Sequence, residues 1–240
     1  MILKSYIKID STNLEAKRLI NLGKIFNNTV LVAKIQTLGI GRLNRQWISH
    51  KGGLWFTIIF PNENFNSSVS IFTGIMLHKI LLNSFPNAAL MIKWPNDIFW
   101  KNKKLAGILC SNHSNSSIIG VGVNINQKRL PEEINELATS VYIESNKRVK
   151  IGKLLHKFLH IFEENLPTYK KEDIKFLLSY YQKYDYLYGK NILISIPENE
   201  FKGKATGISE NGELIMRTDN KEKRFLSADK IDILNDSEKF

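Results

Sequence analysis

The stretch Lys93-Trp94-Pro95-Asn96-Asp97-Ile98-Phe99-Trp100-Lys101-Asn102-Lys103-Lys104-Leu105-Ala106-Gly107 decides how this chain reads. Pro95 lacks an N–H and turns Trp94 away from helix. Asn96 and Asp97 favour a turn. Ile98 to Trp100 is strand-like, Lys101-Asn102-Lys103 is a polar tip, and Leu105 to Cys110 reads as the returning strand. The result is a β-hairpin that carries a carboxylate, Asp97, near one base and a cation, Lys104, near the other. Alone, such a hairpin needs no function, because its lysines can be solvated surface groups.

Working outward, residues 3–9 read as a strand, and Asp10-Ser11-Thr12-Asn13 opens a helix that Gly23 ends. Thr12 and Glu15 have capping-box spacing. Val30 to Ile35 and Leu54 to Phe60 read as strands, separated by a polar, glycine-containing loop at 36–46. Val69 to Phe85 has helical apolar spacing and stops before Pro86. Leu90 to Lys93, Leu105 to Cys110 and Ile118 to Asn124 complete a sheet whose strands are largely hairpin-linked. That pattern predicts an α+β fold, a mixed or antiparallel sheet covered by helices. Pro131 to Glu136 reads as a short helix start, and 151–165 and 172–182 as two further helices. After Gly189, short strands at Ile192–Ile196, Lys202–Ile208, Gly212–Arg217 and Lys223–Leu226 follow one another, with Asn211-Gly212 as a hairpin turn. The expected division is residues 1–186 as one domain and 187–240 as a small β-barrel.

The chain has 240 residues and a formal net charge of +11, its lysines dispersed and mixed with acids. Such an excess attracts anions. No helix-turn-helix, zinc-finger spacing or aromatic–basic RNA motif directs it to nucleic acid. No apolar run approaches the ~18 residues that span a bilayer. The N-terminus lacks a signal peptide's apolar centre, and the single cysteine, Cys110, excludes an internal disulfide. A cytoplasmic protein is expected.

Four polar loops gather chemistry: Ser11-Thr12-Asn13, Gln36 to Arg45, Asn96-Asp97 with Lys104, and Gly120 to Asn124. Each has a plainer reading as a cap or turn. Gly120-x-Gly122 is too short for a dinucleotide fingerprint, and there is no phosphate-binding P-loop. His156 and His160 are four apart on an expected helix but have no third ligand, so no metal site of the protein alone is expected.

Six segments in order resemble biotin–protein ligases. They are Asp10-Ser11-Thr12-Asn13; Gln36-Thr37-x-Gly39-x-Gly41-Arg42-x-x-Arg45-x-Trp47; Gly52-Gly53-Leu54-Trp55; Lys93 to Asp97; Lys104-Leu105-Ala106-Gly107; and Gly120-x-Gly122-x-Asn124. The likeness covers roughly residues 3–185, and Gly203-Lys204-Ala205-x-Gly207-Ile208 resembles the family's SH3-like barrel. Family members that also repress transcription carry an N-terminal winged helix. This chain opens on the catalytic motifs, so the resemblance implies a ligase that binds no specific DNA. It implies that biotin and ATP, with Mg²⁺, form biotinyl-AMP, and that a lysine of the biotin carboxyl carrier domain of a carboxylase then takes the biotin. A homodimer paired through a free sheet edge is also compatible with it.

By that resemblance, Lys104, Arg42 and Asp97 are the catalytic candidates. Biotin would meet Ser11, Thr12, Asn13, Gln36, Ile40, Gly41, Arg42, Trp47, Trp55, Lys104 and Gly107, although both tryptophans also suit the core. The nucleotide would meet Gly39, Arg42, Arg45, Asn96, Lys104, Gly122 and Asn124. One departure stands out. The family loop reads Gly-Arg-Gly-Arg, and here it reads Gly39-Ile40-Gly41-Arg42, so the first arginine is lost. The alternative enzyme class is a lipoate or octanoyl ligase or transferase of the same superfamily, some of which use a cysteine nucleophile. Cys110 would be that candidate, or else a buried structural thiol.

Overall fold

The computed structural model describes residues 1–218 and 221–234. Positions 219–220 and 235–240, part of the expected C-terminal domain, lie outside the described residues.

Two sheets organise the chain. The first holds seven strands in the order β1-β2-β3-β7-β6-β5-β4. These are β1 (Ile2–Tyr6), β2 (Thr29–Ala33), β3 (Leu54–Pro61), β4 (Leu90–Lys93), β5 (Asp97–Trp100), β6 (Lys103–His113) and β7 (Ser116–Val123). Only β1 and β2 run parallel, joined through helix α1 (Thr12–Asn21), and every other pairing is antiparallel. Helix α2 (Val69–Ser84) is buried on most of its faces, and it packs between the sheet and α4 (Ile151–Glu172). Phe56 of β3, Phe72 of α2, and Phe158 and Phe162 of α4 interlock there with ring centroids 4.9–5.6 Å apart. Smaller helix α1 covers part of the opposite face, where Ala16 and Leu19 bury Leu31, Ile59 and Ile118.

The second sheet is fully antiparallel, in the order β11-β10-β9-β8-β12: β8 (Asn191–Ile196), β9 (Asn199–Ile208), β10 (Leu214–Arg217), β11 (Glu222–Phe225) and β12 (Lys230–Ile233). Gly212 has φ +80° in the β9–β10 turn, a conformation glycine tolerates. The buried residues of this sheet, such as Ile192, Leu214 and Met216, continue the core of the first without a break. No described helix is long and apolar enough to cross a membrane.

Several local expectations are corrected. Ser11, not Thr12, is the residue before α1, and neither side chain caps the helix. Thr12 Oγ1 is spent on Gln36 and Thr57, while Glu15 bonds Arg18 and Tyr6 instead of reaching back. Pro131 to Glu136 forms turns with bonds such as Ile134 N–H to Pro131 O, and the helix α3 comes later, at Val141–Ser145. Helix α4 runs through Pro167 to Glu172 and ends where Asp173 takes φ +57°; α5 (Leu178–Lys183) follows. Strand β12 had no sequence signal strong enough to mark it.

Candidate active site

Residues opposite each other in a sheet share a face. On the α1 face one row runs Lys93, Asp97, Gly107, Gly122, Trp55, and the next runs Leu109, Gly120, Thr57, Leu31. Three glycines therefore make a trough between two ridges of side chains. The trough is a seat. A Cβ at Gly122 would lie 2.4 Å from Trp47 Nε1, and one at Gly107 3.1 Å from the same indole. A Cβ at Gly120 would lie 2.4 Å from Asn13 Oδ1. Trp47 fills one end and Asn13 the other.

A bulge aims the cation. In β6, Gly107 pairs with Asp97, Ala106 with Ile98, and then the register slips so that Lys104 pairs with Phe99. Simple alternation from Gly107 would have sent Lys104 to the far face. The slip instead buries Leu105 and Ala106 in the core and turns Lys104 to the trough. Lys104 Nζ lies 2.8 Å from Asp97 Oδ1, and 5.2 Å from the centre of the Trp47 ring. The Lys104 side chain is 31% exposed and that of Asp97 19%, while the Asp97 Oδ1 that faces the ammonium is buried.

The loop carrying Trp47 folds back on itself. Gly41 N–H donates to Arg45 O and Trp47 N–H to Gly39 O, both at 2.8 Å. Leu43 and Asn44 turn its tip with φ of 54° and 57°. Both loop arginines reach the C-terminal unit: Arg42 Nη2 donates to Ala228 O at 2.8 Å, and Arg45 Nη2 to Asp229 O at 3.2 Å. Lys93 Nζ donates to Ile231 O at 3.2 Å, and Trp94 Nε1 to Gly212 O at 2.8 Å. Burial lowers the Arg42 guanidinium and the Lys93 ammonium from their ordinary pKa values, while the Asp97 carboxylate opposes both shifts. Asn96 pins β6 by donating from Nδ2 to Ile108 O at 2.6 Å.

Beyond the trough lies a partly buried polar chain. Thr12 N–H donates to Gln36 Oε1 at 2.7 Å, and Gln36 Nε2 donates to Ser49 Oγ at 2.8 Å. Gln36, Thr12 and Asn13 all border one cavity of about 420 Å³. That size suits a small-molecule ligand.

The expected site residues converge on this cavity. Ser11, Ile40, Gly41, Arg42, Arg45, Trp47, Asn96, Asp97, Lys104, Gly107, Gly122 and Asn124 border it as well. Trp55 and Gly39 do not. Trp55 is fully buried behind Trp47, edge-on at 6.5 Å, with Nε1 donating to His50 O. Gly39 faces the Trp47 carbonyl and Ser49 inside the loop. Two contributions were missed. Lys93 stood in the opening motif without a role, yet it adds a cation to Arg42, Arg45 and Lys104 at the cavity. Residues 228–232 form a wall, and nothing local in them marks a contact with a loop so distant in sequence.

Chemically, Lys93, Lys104 and Arg42 gather around the Asp97 carboxylate over an indole-covered floor, and Arg45, Lys230, Asp229 and Asp232 also border the cavity. Trp47 Nε1 is buried without a hydrogen-bond partner among the described residues, so a donor awaits an acceptor there. Such a site suits ligands that carry more than one negative charge. Cys110 lies on the opposite face, packed against the main core.

The comparisons agree with this geometry. Residues 6–127 match the Biotin/lipoate A/B protein ligase family, and residues 188–229 match the Biotin protein ligase C terminal domain. The bifunctional ligase/repressor BirA of Bacillus spizizenii is 30% identical over 238 residues, covering 92% of this chain and 71% of that protein. The biotin–[acetyl-CoA-carboxylase] ligase of Mycobacterium tuberculosis is 25% identical over 214 residues, covering 86% and 79%. Among solved structures, the biotin protein ligase from Aquifex aeolicus in complex with biotin and ATP superposes with a TM-score of 0.89 at 28% identity, over 97% of this chain and 99% of that one. With a catalytic-domain match over more than half its length and a C-terminal match on its second sheet, the chain belongs to the biotin/lipoate A/B protein ligase family, in its biotin protein ligase branch.

Proposed function

We propose that the chain is an ATP-dependent biotin–protein ligase. The biotin carboxylate attacks the α-phosphate of ATP, giving biotinyl-AMP and pyrophosphate. A lysine amine of the biotin carboxyl carrier domain of a carboxylase then attacks the mixed anhydride, forming an amide and releasing AMP. The observation that carries this reading is the bulge-aimed Lys104, 2.8 Å from Asp97, beside Lys93 and Arg42 on a trough covered by Trp47.

The first step brings a carboxylate to a polyanion, so fixed cations must offset the repulsion. Lys104, Arg42 and Lys93 all border the cavity and can supply that charge. Trp47, seated in the trough, offers an apolar ring to biotin's chain, and Thr12, Gln36 and Asn13 suit its ureido head. The second step needs a neutral amine. At pH 7, deprotonating an ordinary lysine costs roughly 4–5 kcal/mol. Asp97 is the carboxylate placed to orient the incoming ammonium and take its proton through water. A Mg²⁺ ion bound with the nucleotide would further offset the charge of the phosphates.

The lipoyl or octanoyl alternative by way of Cys110 is disfavoured, because that thiol faces the core side of the sheet and burial pushes its pKa up. The deciding assay mixes purified protein, biotin, ATP, Mg²⁺ and a carrier domain. Pyrophosphate should form, and the carrier should gain the mass of one biotin. ATP-independent incorporation, or transfer of lipoate in place of biotin, would defeat the proposal.

A further inference from the structure

Thr57 lies in β3, fully buried, outside the cavity and beneath two residues that border it. Its Oγ1 is 2.7 Å from Thr12 Oγ1 and 2.5 Å from Asn13 Oδ1. Thr12 Oγ1 is in turn 3.0 Å from Gln36 Oε1. Four oxygens thus stand in a row, Asn13, Thr57, Thr12, Gln36, with three short gaps between them.

The proton count does not close. Only the two hydroxyls carry protons, and an amide oxygen at each end can only accept. One buried gap would hold two facing oxygens and no proton, which is costly. The Gln36 end is fixed. Its Oε1 also accepts the Thr12 backbone N–H at 2.7 Å, and its Nε2 donates to Ser49 Oγ, so this amide cannot reverse. The Asn13 end can. A half-turn of its amide exchanges two atoms of similar size and leaves the packing on Gly120 unchanged. With Nδ2 against Thr57, the three gaps hold three protons, all pointing toward Gln36. The Asn13 oxygen then lies at the other amide position, for which no protein partner exists among the described residues, on a side chain that borders the cavity.

We propose that Thr57 is a positioning residue: its hydroxyl fixes the direction of this hydrogen-bond chain, so that Asn13 presents an acceptor to the cavity and selects a ligand carrying an N–H donor. This rests on the biotin reading above and deepens it. A cyclic urea has two N–H donors, and a dithiolane ring has none, so the same acceptor separates a ureido substrate from a lipoyl one.

The test is biotin-dependent pyrophosphate exchange by the full chain, with KM for biotin, KM for ATP and kcat measured separately. Thr57→Val removes the hydroxyl at nearly constant volume, while Thr57→Ser keeps it. Thr57→Val should raise KM for biotin about tenfold, the scale of one lost hydrogen bond, with kcat and KM for ATP near wild type. Thr57→Ser should restore the wild-type KM. Thr57→Ala also removes the hydroxyl and should likewise raise KM for biotin; it decides the matter if Thr57→Val does not fold. A wild-type KM in Thr57→Val or in Thr57→Ala overturns the inference, as does equal damage from Val and Ser. If the wild-type chain shows no biotin-dependent exchange at all, the ligase reading fails instead.

Discussion

The seat of Trp47 gives a graded test of the site. Gly122→Ala would place a Cβ 2.4 Å from Trp47 Nε1 and 2.7 Å from Cε2. Ordinary non-bonded contact is about 3.5–4.0 Å, so the indole must retreat by more than about 1 Å. Its way sideways is blocked. Trp55 stands edge-on at 6.5 Å, fully buried and held by its bond to His50 O, and Lys104 Nζ is 5.2 Å from the ring centre. The ring leaves by lifting with its loop, which loosens Gly39 to Trp47 as a unit. Overpacking of this kind costs about 1–3 kcal/mol of stability. For a chain of this size, that is a Tm lower by roughly 2–12 °C. Binding should suffer more, because a displacement near 1 Å in a site can cost about 10²-fold.

The assay is kcat/KM for biotin in pyrophosphate exchange, with Tm and tryptophan fluorescence on the same samples. Gly107→Ala is the internal scale, since its Cβ would stand at 3.1 and 3.3 Å from the same ring and needs only a small adjustment. The expected order is wild type, then Gly107→Ala, then Gly122→Ala, with the last about a hundredfold down. A Gly122→Ala enzyme within about threefold of wild type, or one no worse than Gly107→Ala, refutes the claim that these glycines exist to seat the indole.

Lys104→Met should lower the rate of adenylate formation by about 10²–10³. It should lower Tm only slightly, since both side chains of its pair with Asp97 keep some exposure and such pairs are worth about 1 kcal/mol; pyrophosphate release within tenfold of wild type would remove Lys104 from the first step. Ile40→Arg restores a charge-assisted donor worth about 1.5–3 kcal/mol and should slow dissociation of preformed biotinyl-AMP by about ten or more; equal off-rates from the two proteins sink that idea. Buried Asp185, raised to about 6 by desolvation, contributes stability that is fully present below the ordinary carboxylate pKa and is lost as pH rises through its folded value. Asp185→Asn should therefore be more stable than wild type at pH 7 by up to about 3 kcal/mol, with the gap closing toward pH 4 in urea melts. A gap independent of pH would show that Asp185 does not titrate in that window.

Much of the site was legible because its chemistry is local. The Asp97–Lys104 hairpin follows from turn residues between apolar runs, and Ser11 to Asn13, Gln36 and the glycine loop are each marked by residue type. What alternation could not show is the slip at Leu105, because a bulge leaves no mark in a pattern of period two. The trough was hidden for a related reason. In the sequence Gly107 and Gly122 stand only as ligand contacts and Gly120 as part of a short glycine pair, yet all three leave space beneath Trp47 and Asn13. Whether a tryptophan walls a pocket or fills a core is decided by its neighbours in space, which is how Trp47 and Trp55 came to differ. The wall at 228–232 and the role of Lys93 are products of tertiary contact alone.

The same contacts change how the missing loop arginine should be understood. With Ile40 in place of a cation, the loop's remaining charges are Arg42 and Arg45, and both already donate to carbonyls at 228–229. Hydrogen bonds from a guanidinium to an anion are roughly twice as strong as those between neutral groups, and a phosphate can accept two at once. A phosphate arriving at Arg42 can therefore draw it from Ala228 O. That exchange links the loop's grip on a ligand to the C-terminal unit. Where Arg42 turns wholly to a ligand anion, it releases one of the bonds that hold the loop against residues 228–232, and Arg45 and Lys93 then keep that wall in place. The C-terminal unit thus sets the resting position of the loop, and Ile40 leaves that loop one fewer donor with which to hold what it closes over.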